Sequence, residues 1–390
     1  MPAELPVIPP LADDKLRQKI RDHYLENEAG VIAGLVANAR FEDRERKAIS
    51  AMAAELISKV RADSSPSMME NFLAEYGLST REGVALMCLA EALLRVPDAQ
   101  TIDELIEDKI SPGNWGEHLG HSGSPLVNAS TWALMLTGKI VAPEDEGGLR
   151  LTLHGLVKRL GEPLVRNAVG QAMRELGRHF VLGTNIDKAR KRARELQKLG
   201  YTYSYDMLGE AARTESDARN YHLAYSDAIT GLAKDCKHKS TRDNPGISVK
   251  LSALHPRYEM GQYHRVIDEL IPRVESLAML ACSANMGFNI DAEEADRLDI
   301  SLDVIEAVLS NPALRGWDGF GVVVQAFGKR AMPVLDWLYA LTQRLDRKIM
   351  VRLVKGAYWD TEIKRAQVLG LSDYPVFTRK VNTDISYLAC

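Results

Sequence analysis

The sequence predicts an α/β protein with an all-α N-terminal part. The α/β portion is expected to be an incomplete (β/α)8 TIM-type barrel with about five strands present, preceded by the helical domain. Three observations carry this. Before residue 180 apolar residues recur at helical spacing, and nothing alternates with period two for long. From about Tyr201 onward, short β-prone runs are each followed by a long helical pattern, the signature of a parallel sheet. Each of five such runs carries one polar residue in or near its C-terminal end. In a barrel those ends face a single mouth.

A chain of 390 residues is too long for one ordinary core. The expected division is a helical, dimerisation-type domain over 1–180 and the N-terminal part of a barrel over 181–390. In the first part, Asp43 to Ala62 has apolar residues at helical spacing with charge between them. Ser79-Thr80-Arg81-Glu82 has the form of a capping box and opens the apolar stretch Val84 to Val96. Thr101 to Glu104 repeats that signal. Ser111 to Ser124 is rich in Gly and Ser and predicts a loop. Helical patterns resume from Leu149 to Val181. In the second part the expected strands are Tyr203 to Leu208, Ile247 to Leu254, Gly287 to Ala292, Gly319 to Phe327 and Ile349 to Tyr358. Between them lie expected helices from Glu210 to Lys234, Gln262 to Ala284, Ser301 to Ser310 and Arg330 to Leu345, with a further one from Thr361 to Leu369.

The polar residues of the strands are Asp206, Lys250, Asp291, Gln325 and Arg352, spaced 27 to 44 residues apart, each gap long enough for one strand and helix. Together they would ring the mouth with two acids, one amide and two cations. Taken singly, each is as readily a structural pair or a solvent-facing residue. Five strands do not close an eight-stranded barrel. The pattern stops at Cys390 in mid-helix, so the polypeptide is expected to be a piece of a longer protein.

Composition excludes several classes. The 46% hydrophobic and 26% charged content is that of a globular chain rather than a disordered one. A net charge of −4 argues against a chain built mainly to hold nucleic acid. Cys88, Cys236, Cys282 and Cys390 are far apart and form no CxxC pair, so neither a disulfide framework nor a zinc site is expected. Reduced thiols and the acidic, Pro-containing start point to the cytoplasm. No run reaches the roughly 20 apolar residues of a membrane span.

The segments YSYDMLGEAA, SVKLSALHPRY, NIDAEEADRLDISLD, VVVQAF and VRLVKGAYWDTEIKRAQ closely resemble the proline dehydrogenase domain of the bacterial proline utilization A family. GNWGEHLGHSGSPLVNASTWALMLTGK is similar to the helical domain that precedes it. The resemblance covers nearly the whole chain. It implies a distorted barrel binding FAD and oxidation of L-proline to pyrroline-5-carboxylate. Hydride passes to the flavin and electrons pass on to a membrane quinone. A bifunctional parent is implied, with an NAD-dependent aldehyde dehydrogenase (L-glutamate gamma-semialdehyde dehydrogenase) elsewhere. The same resemblance implies a homo-oligomer in the cytoplasm with peripheral contact at the inner membrane. Met1 to Asp14 is too short and acidic for the ribbon-helix-helix segment of three-function members, so no nucleic acid partner is expected.

The roles implied by this resemblance fall on particular residues. Arg352 matches the arginine at flavin N5, where a fixed cation favours negative charge on the reduced ring. Gln325 matches the glutamine that hydrogen-bonds the isoalloxazine, and Asp291 an acid near it. Lys355, Gly356, Ala357 and Trp359 match the loop that packs on the cofactor. Phe377, Thr378, Arg379 and Lys380 match a segment at its ribityl, phosphate or adenine part. Asp206 and Lys250 match an acid–lysine pair beside the substrate and, with Arg352, are the expected catalytic residues. Leu353 and Tyr358 match walls of the proline pocket. The family's two arginines for the proline carboxylate and its Thr-His flavin ligands find no counterpart within 1–390. The polypeptide alone is therefore expected to be inactive or nearly so.

Other readings stay beside this one. His118 and His121 have metal-ligand spacing but no third ligand, so no metal is expected. His255, next to Pro256, is expected to be structural. Lys234 to Lys239 is expected to be a solvated helix end. Of Glu293 and Glu294, at most one is expected to join Asp291. A non-catalytic dimerisation module and another flavin barrel, such as a methylenetetrahydrofolate reductase relative, are the alternatives.

Overall fold

The computed structural model describes residues 14–39, 41–62, 101 and 181–390. The chain divides into two compact units, Met1–Glu42 together with Ala193–Cys390, and Asp43–Arg192. The segments around Ser79, Ser111 to Ser124 and Leu149 to Phe180, with His118, His121 and Cys88, lie outside the described residues.

In the second unit, helix α3 spans Asp43–Ala62, the limits expected from its periodicity. Acids occupy its first turn and bases its last, which complements the helix dipole. Its ion pairs run along the helix, Arg46 to Asp43 at 3.1 Å and Lys59 to Glu55 at 2.6 Å. Helix α4, Ile186–Gln197, runs across the division at Arg192 and precedes the sheet.

The first unit holds a five-stranded sheet. Strands β1 (Ser204–Asp206), β2 (Gly246–Val249), β3 (Gly287–Ile290), β4 (Phe320–Gln325) and β5 (Met350–Val354) are all parallel and pair in consecutive order. This is a partial TIM-type arrangement. β2 and β3 are buried at every residue, as strands covered on both faces must be. The connecting helices are α5 (Glu215–Ala233), the short α6 (Leu251–Leu254), α7 (Tyr263–Ser283), α8 (Leu298–Ser310) and α9 (Ala331–Leu345). After β5 come α10 (Trp359–Leu369) and α11 (Lys380–Ala389). On α7 the buried residues Val266, Leu270, Val274, Leu277, Ala278 and Ala281 form one helical stripe. Each large apolar side chain buried this way contributes roughly 1.5–3 kcal/mol.

Several expected boundaries move, three of them for an identifiable local reason. The run Ile247 to Leu254 is not one strand. β2 ends at Val249 and α6 begins at Leu251, because Ser252 turns to neighbours outside the sheet. Its N–H donates to Glu293 at 3.0 Å and its Oγ accepts from Ala211 N at 3.1 Å. α5 starts at Glu215 rather than Glu210, since Thr214 and Asp217 form a reciprocal capping box there. β5 stops at Val354 because Gly356 turns the chain at a φ of +134°.

Two further helices belong to the sheet-bearing unit. They are α1 (Asp14–Asp22) and α2 (Glu28–Ala39). α1 docks through Arg17, which is buried, pairs with Asp303 at 2.8 Å and stacks on Trp337. A buried cation needs such partners to offset its lost hydration. α2 packs on α11, with Val31 and Leu35 against Phe377. The buried Lys329 donates to Glu26 O at 2.8 Å and pairs with Asp373 at 3.2 Å, fixing the turn between α1 and α2.

Candidate active site

The parallel sheet brings the C-terminal ends of its strands to one side, and the polar residues collect there. Asp206 ends β1, Lys250 and Asp291 directly follow β2 and β3, Gln325 ends β4, and Arg352 is the third residue of β5. Four of the five touch. The Lys250 ammonium lies 2.8 Å from Asp291 Oδ2 and 3.5 Å from Asp206 Oδ1. Arg352 donates to Asp291 Oδ1 through one nitrogen and to Ser248 Oγ, at 3.1 Å, through the other. Asp291 is thus bidentate, one oxygen for each cation, and its side chain is only 8% exposed. Two acids and two cations make the cluster neutral when all are charged, so a half-buried site tolerates four ionic groups.

Position divides the charge unevenly. Burial alone would lower the Lys250 pKa. The hydrogen bond and charge of Asp291, with Asp206 adding, outweigh it and hold the ammonium raised well above its ordinary range. Asp206 moves the other way from an ordinary ion-paired acid. Its burial raises the pKa more than the more distant Lys250 lowers it. Behind Lys250, the Tyr225 phenol accepts from the lysine N–H at 3.4 Å, and burial pushes it up to about 12.

Gln325 joins the neighbouring loops rather than the ionic cluster. Its Nε2 donates to Glu293 O at 3.0 Å, and its Oε1 accepts from Ala357 N at 3.0 Å. Gly356 precedes this contact. A Cβ there would lie 2.5 Å from the Phe327 ring, so no other residue fits without movement. Tyr358 reaches Glu210 at 3.5 Å, and burial, with Glu210 adding, raises its phenol above the usual range. Leu353 pairs in register with Val324, and strand alternation turns it to the face opposite Arg352.

The remaining candidates form a second group around the start of α11. Trp359 Nε1 donates to Phe377 O at 2.8 Å. The Phe377 ring is buried in the core under α2. Thr378 donates through both N–H and Oγ1 to Glu28. Lys355 and Lys380 share Asp384, and Arg379 is exposed.

Sequence reasoning missed several of these partners. Ser248 had a signal, lying two residues before Lys250 on the same strand face. Glu293 shows only as one of two adjacent acids. It is the buried one, with burial raising its pKa, whereas Glu294 pairs with Arg297 at 3.0 Å. Glu28 lies 350 residues from Thr378 and carries no local signal. His255 is buried against Glu269 at 3.2 Å, away from the cluster. Among the described residues, no group of three or more His, Cys, Asp or Glu is arranged to hold a metal, and no helix is long and apolar enough to cross a membrane.

Residues 189–390 match the family model described as Proline dehydrogenase. Residues 14–61 match the Proline utilization A proline dehydrogenase N-terminal domain, and residues 68–180 match the DNA-binding domain of Proline dehydrogenase. The chain is 50% identical over 378 residues to Bifunctional protein PutA of Salmonella typhimurium, covering 96% of this chain and 29% of that protein. It is 26% identical over 183 residues to Proline dehydrogenase 1 of Bacillus subtilis, covering 46% of this chain and 52% of that one. A crystal structure of a Bradyrhizobium japonicum Proline Utilization A (PutA) mutant superposes with a TM-score of 0.66 at 50% identity, covering 94% of this chain and 36% of the other. The chain thus spans less than a third of the length of its PutA relative from Salmonella. With its second half matched throughout by the Proline dehydrogenase model, the chain belongs to the proline dehydrogenase family.

Proposed function

We propose that this chain contributes the flavin and substrate residues of an FAD-dependent proline dehydrogenase, which oxidises L-proline to pyrroline-5-carboxylate and delivers electrons to quinone. The observation that carries the reading is the Asp291 carboxylate held between Lys250 and Arg352 at the ends of parallel strands, inside the segment matched by the Proline dehydrogenase model. Of the two activities implied by the relatives' name, only this one is proposed for the residues here. Delivery to quinone calls for peripheral contact with the inner membrane, and a homo-oligomer in the cytoplasm is part of the same proposal.

The residues present fit FAD. Gly356 leaves the backbone bare at the mouth, where a side chain would collide. Gln325 keeps one amide N–H beyond its bond to Glu293 O. Arg352 is 40% exposed, so its guanidinium faces the mouth while still held by Asp291. Arg379 is exposed at the start of α11, and the ion pair of Lys380 is a solvent-facing one with Asp384. Such pairs are worth about 1 kcal/mol or less and exchange readily for a phosphate. Arg352 and Gln325 would hold the redox ring, Lys355 to Ala357 and Trp359 its edge, and Thr378 to Lys380 the phosphate end. When bound, FAD supplies the acceptor for the hydride lost by proline.

The chain's own residues then have defined tasks. Asp291 fixes Arg352 so that its charge need not reorient during reaction. Lys250, kept charged, anchors Asp206 at the mouth. Asp206 is half-exposed, and its raised pKa suits it to take the proton that leaves the proline nitrogen. Tyr358 walls the same side.

The test is a pair of spectra on the natural full-length protein, as purified and after L-proline is added without oxygen. A flavin band that bleaches is the expected outcome. A band that stays oxidised overturns proline as substrate, and no flavin at all overturns the reading.

A further inference from the structure

The start of α11 has no cap of its own. Its N-cap residue, Arg379, makes no side-chain bond to the helix, which starts with Asn382 N–H and Thr383 N–H on the Arg379 carbonyl. Glu28, from the other end of the chain, braces this turn from beside it rather than capping its backbone N–H groups. Glu28, the first residue of α2, accepts from Thr378 N at 3.1 Å and Thr378 Oγ1 at 2.9 Å, and also from Asn382 Nδ2. It thereby clasps the residue before the N-cap and the third residue of the helix at once. Burial would raise the Glu28 pKa, but these bonds from Asn382 and Thr378 hold it below the ordinary carboxylate value.

The clasp has a definite consequence for the residues between its two ends. Arg379 and Lys380 lie inside the bracket from Thr378 to Asn382. Their cationic ends point to solvent, with the Lys380 side chain 80% exposed. From below, the segment is fixed by the Phe377 ring packed on Val31 and Leu35 of α2. From the side, it is fixed by Trp359 Nε1 on Phe377 O. Glu28 is the ionic member of this set and the one that acts on the segment's backbone and side chains together.

We infer that Glu28 is a positioning residue that holds Thr378 to Asn382 so that Arg379 and Lys380 meet the phosphates of the bound dinucleotide. The inference rests on the FAD reading above and extends it, because it places a determinant of cofactor affinity on an N-terminal helix far from the barrel strands in sequence. Pre-ordering a loop removes its ordering cost from the binding step, so loss of the clasp acts on affinity for FAD before it acts on chemistry.

The experiment uses the natural full-length protein with Glu28→Ala, Glu28→Gln and Asn382→Ala. Two quantities are read. One is the rate of tryptic cleavage at Arg379 and Lys380 in the flavin-free protein, followed by mass spectrometry. The other is the dissociation constant for FAD, from flavin fluorescence. Glu28→Ala is expected to speed cleavage about tenfold and weaken FAD about tenfold. Glu28→Gln, which keeps an acceptor, is expected to recover part of both effects. Asn382→Ala removes the other end of the clasp and is expected to lie between them, which keeps the test open if Glu28→Ala folds poorly. Unchanged cleavage in all three variants overturns the clasp. Faster cleavage with unchanged FAD affinity overturns its role toward the cofactor. A parent protein that takes up no FAD fails the underlying reading instead, and the cleavage rate still reports separately on the clasp.

Discussion

The ammonium of Lys250 is 2.8 Å from Asp291 and 3.5 Å from Asp206. That difference sets the character of the two acids. Asp291, nearly buried, carries both cations and is the structural centre of the cluster. Asp206, half-exposed, receives the weaker half of the lysine's charge, and burial raises its pKa. In the proposed reaction the first acid organises the site and the second takes the proton.

Asp291→Asn therefore should cost much more than Asp206→Asn. The first leaves Lys250 and Arg352 facing each other without the carboxylate between them. Breaking a buried pair in this way costs about 3 kcal/mol, and reduction of the flavin by proline should slow about 100-fold as Arg352 loses its position. Asp206→Asn should change stability by about 0.5 kcal/mol or less, because its pair is solvent-screened. Chemical unfolding and anaerobic stopped-flow on both variants check this. Equal losses of stability would refute the division of roles.

Arg352→Lys keeps the charge and loses the fork. The guanidinium serves Asp291 and Ser248 with separate nitrogens, and an ammonium on a shorter reach cannot hold both directions. Ser248 is buried, so its lost partner should cost about 1 kcal/mol. Flavin reduction should fall about tenfold or more while FAD is still bound. A lysine variant with unchanged reduction rate would show that charge alone suffices at this position.

Gly356→Ala tests the bare backbone at the mouth. The φ of +134° strains any side chain, and the new Cβ would press on the Phe327 ring at 2.5 Å. Together these should cost about 3 kcal/mol. Adding Phe327→Leu should return the steric part and leave the backbone part. If the double variant is no more stable than the single one, the collision with Phe327 is not the cause.

The legible part of this protein was the part written in short range. Strand runs ending in Asp206, Lys250, Asp291, Gln325 and Arg352 were visible because a parallel strand is a brief apolar run and a charge at its end stands out. The stretch Ile247 to Leu254 reads as one strand in the sequence, since a pattern over eight residues does not separate a strand from a strand plus one helical turn. What divides it is Glu293 meeting Ser252 N, a contact between segments 41 residues apart. The same limit hid Glu28 and Asp384. Glu28 meets its partners through packing of α2 on α11. Asp384 meets Lys355 through packing of the β5 loop on α11, while its pair with Lys380, four residues earlier on the same helix, is local. The resemblance located Thr378 and Lys380 without their carboxylates.

Glu293 offers the pH test. Its side chain is 5% exposed, and burial raises its pKa against the opposing hydrogen bond from Ser252. The folded state therefore holds the Glu293 proton more tightly than the unfolded chain, whose glutamate titrates near 4.3, about the free value. Ionisation at neutral pH works against the fold. That penalty is complete above the raised folded pKa and vanishes as pH falls below the unfolded value. Glu293→Gln keeps an oxygen to accept from Ser252 N and gives up only a 3.4 Å contact to Arg297, which has Glu294 at 3.0 Å as well. The variant should be more stable than the parent by about 1 kcal/mol at pH 8, with the gain shrinking steadily as pH is lowered toward 5. Denaturant titrations at several pH values measure it. A difference that stays constant with pH, or a variant less stable at pH 8, would mean that the buried carboxylate contributes to the fold in its charged form.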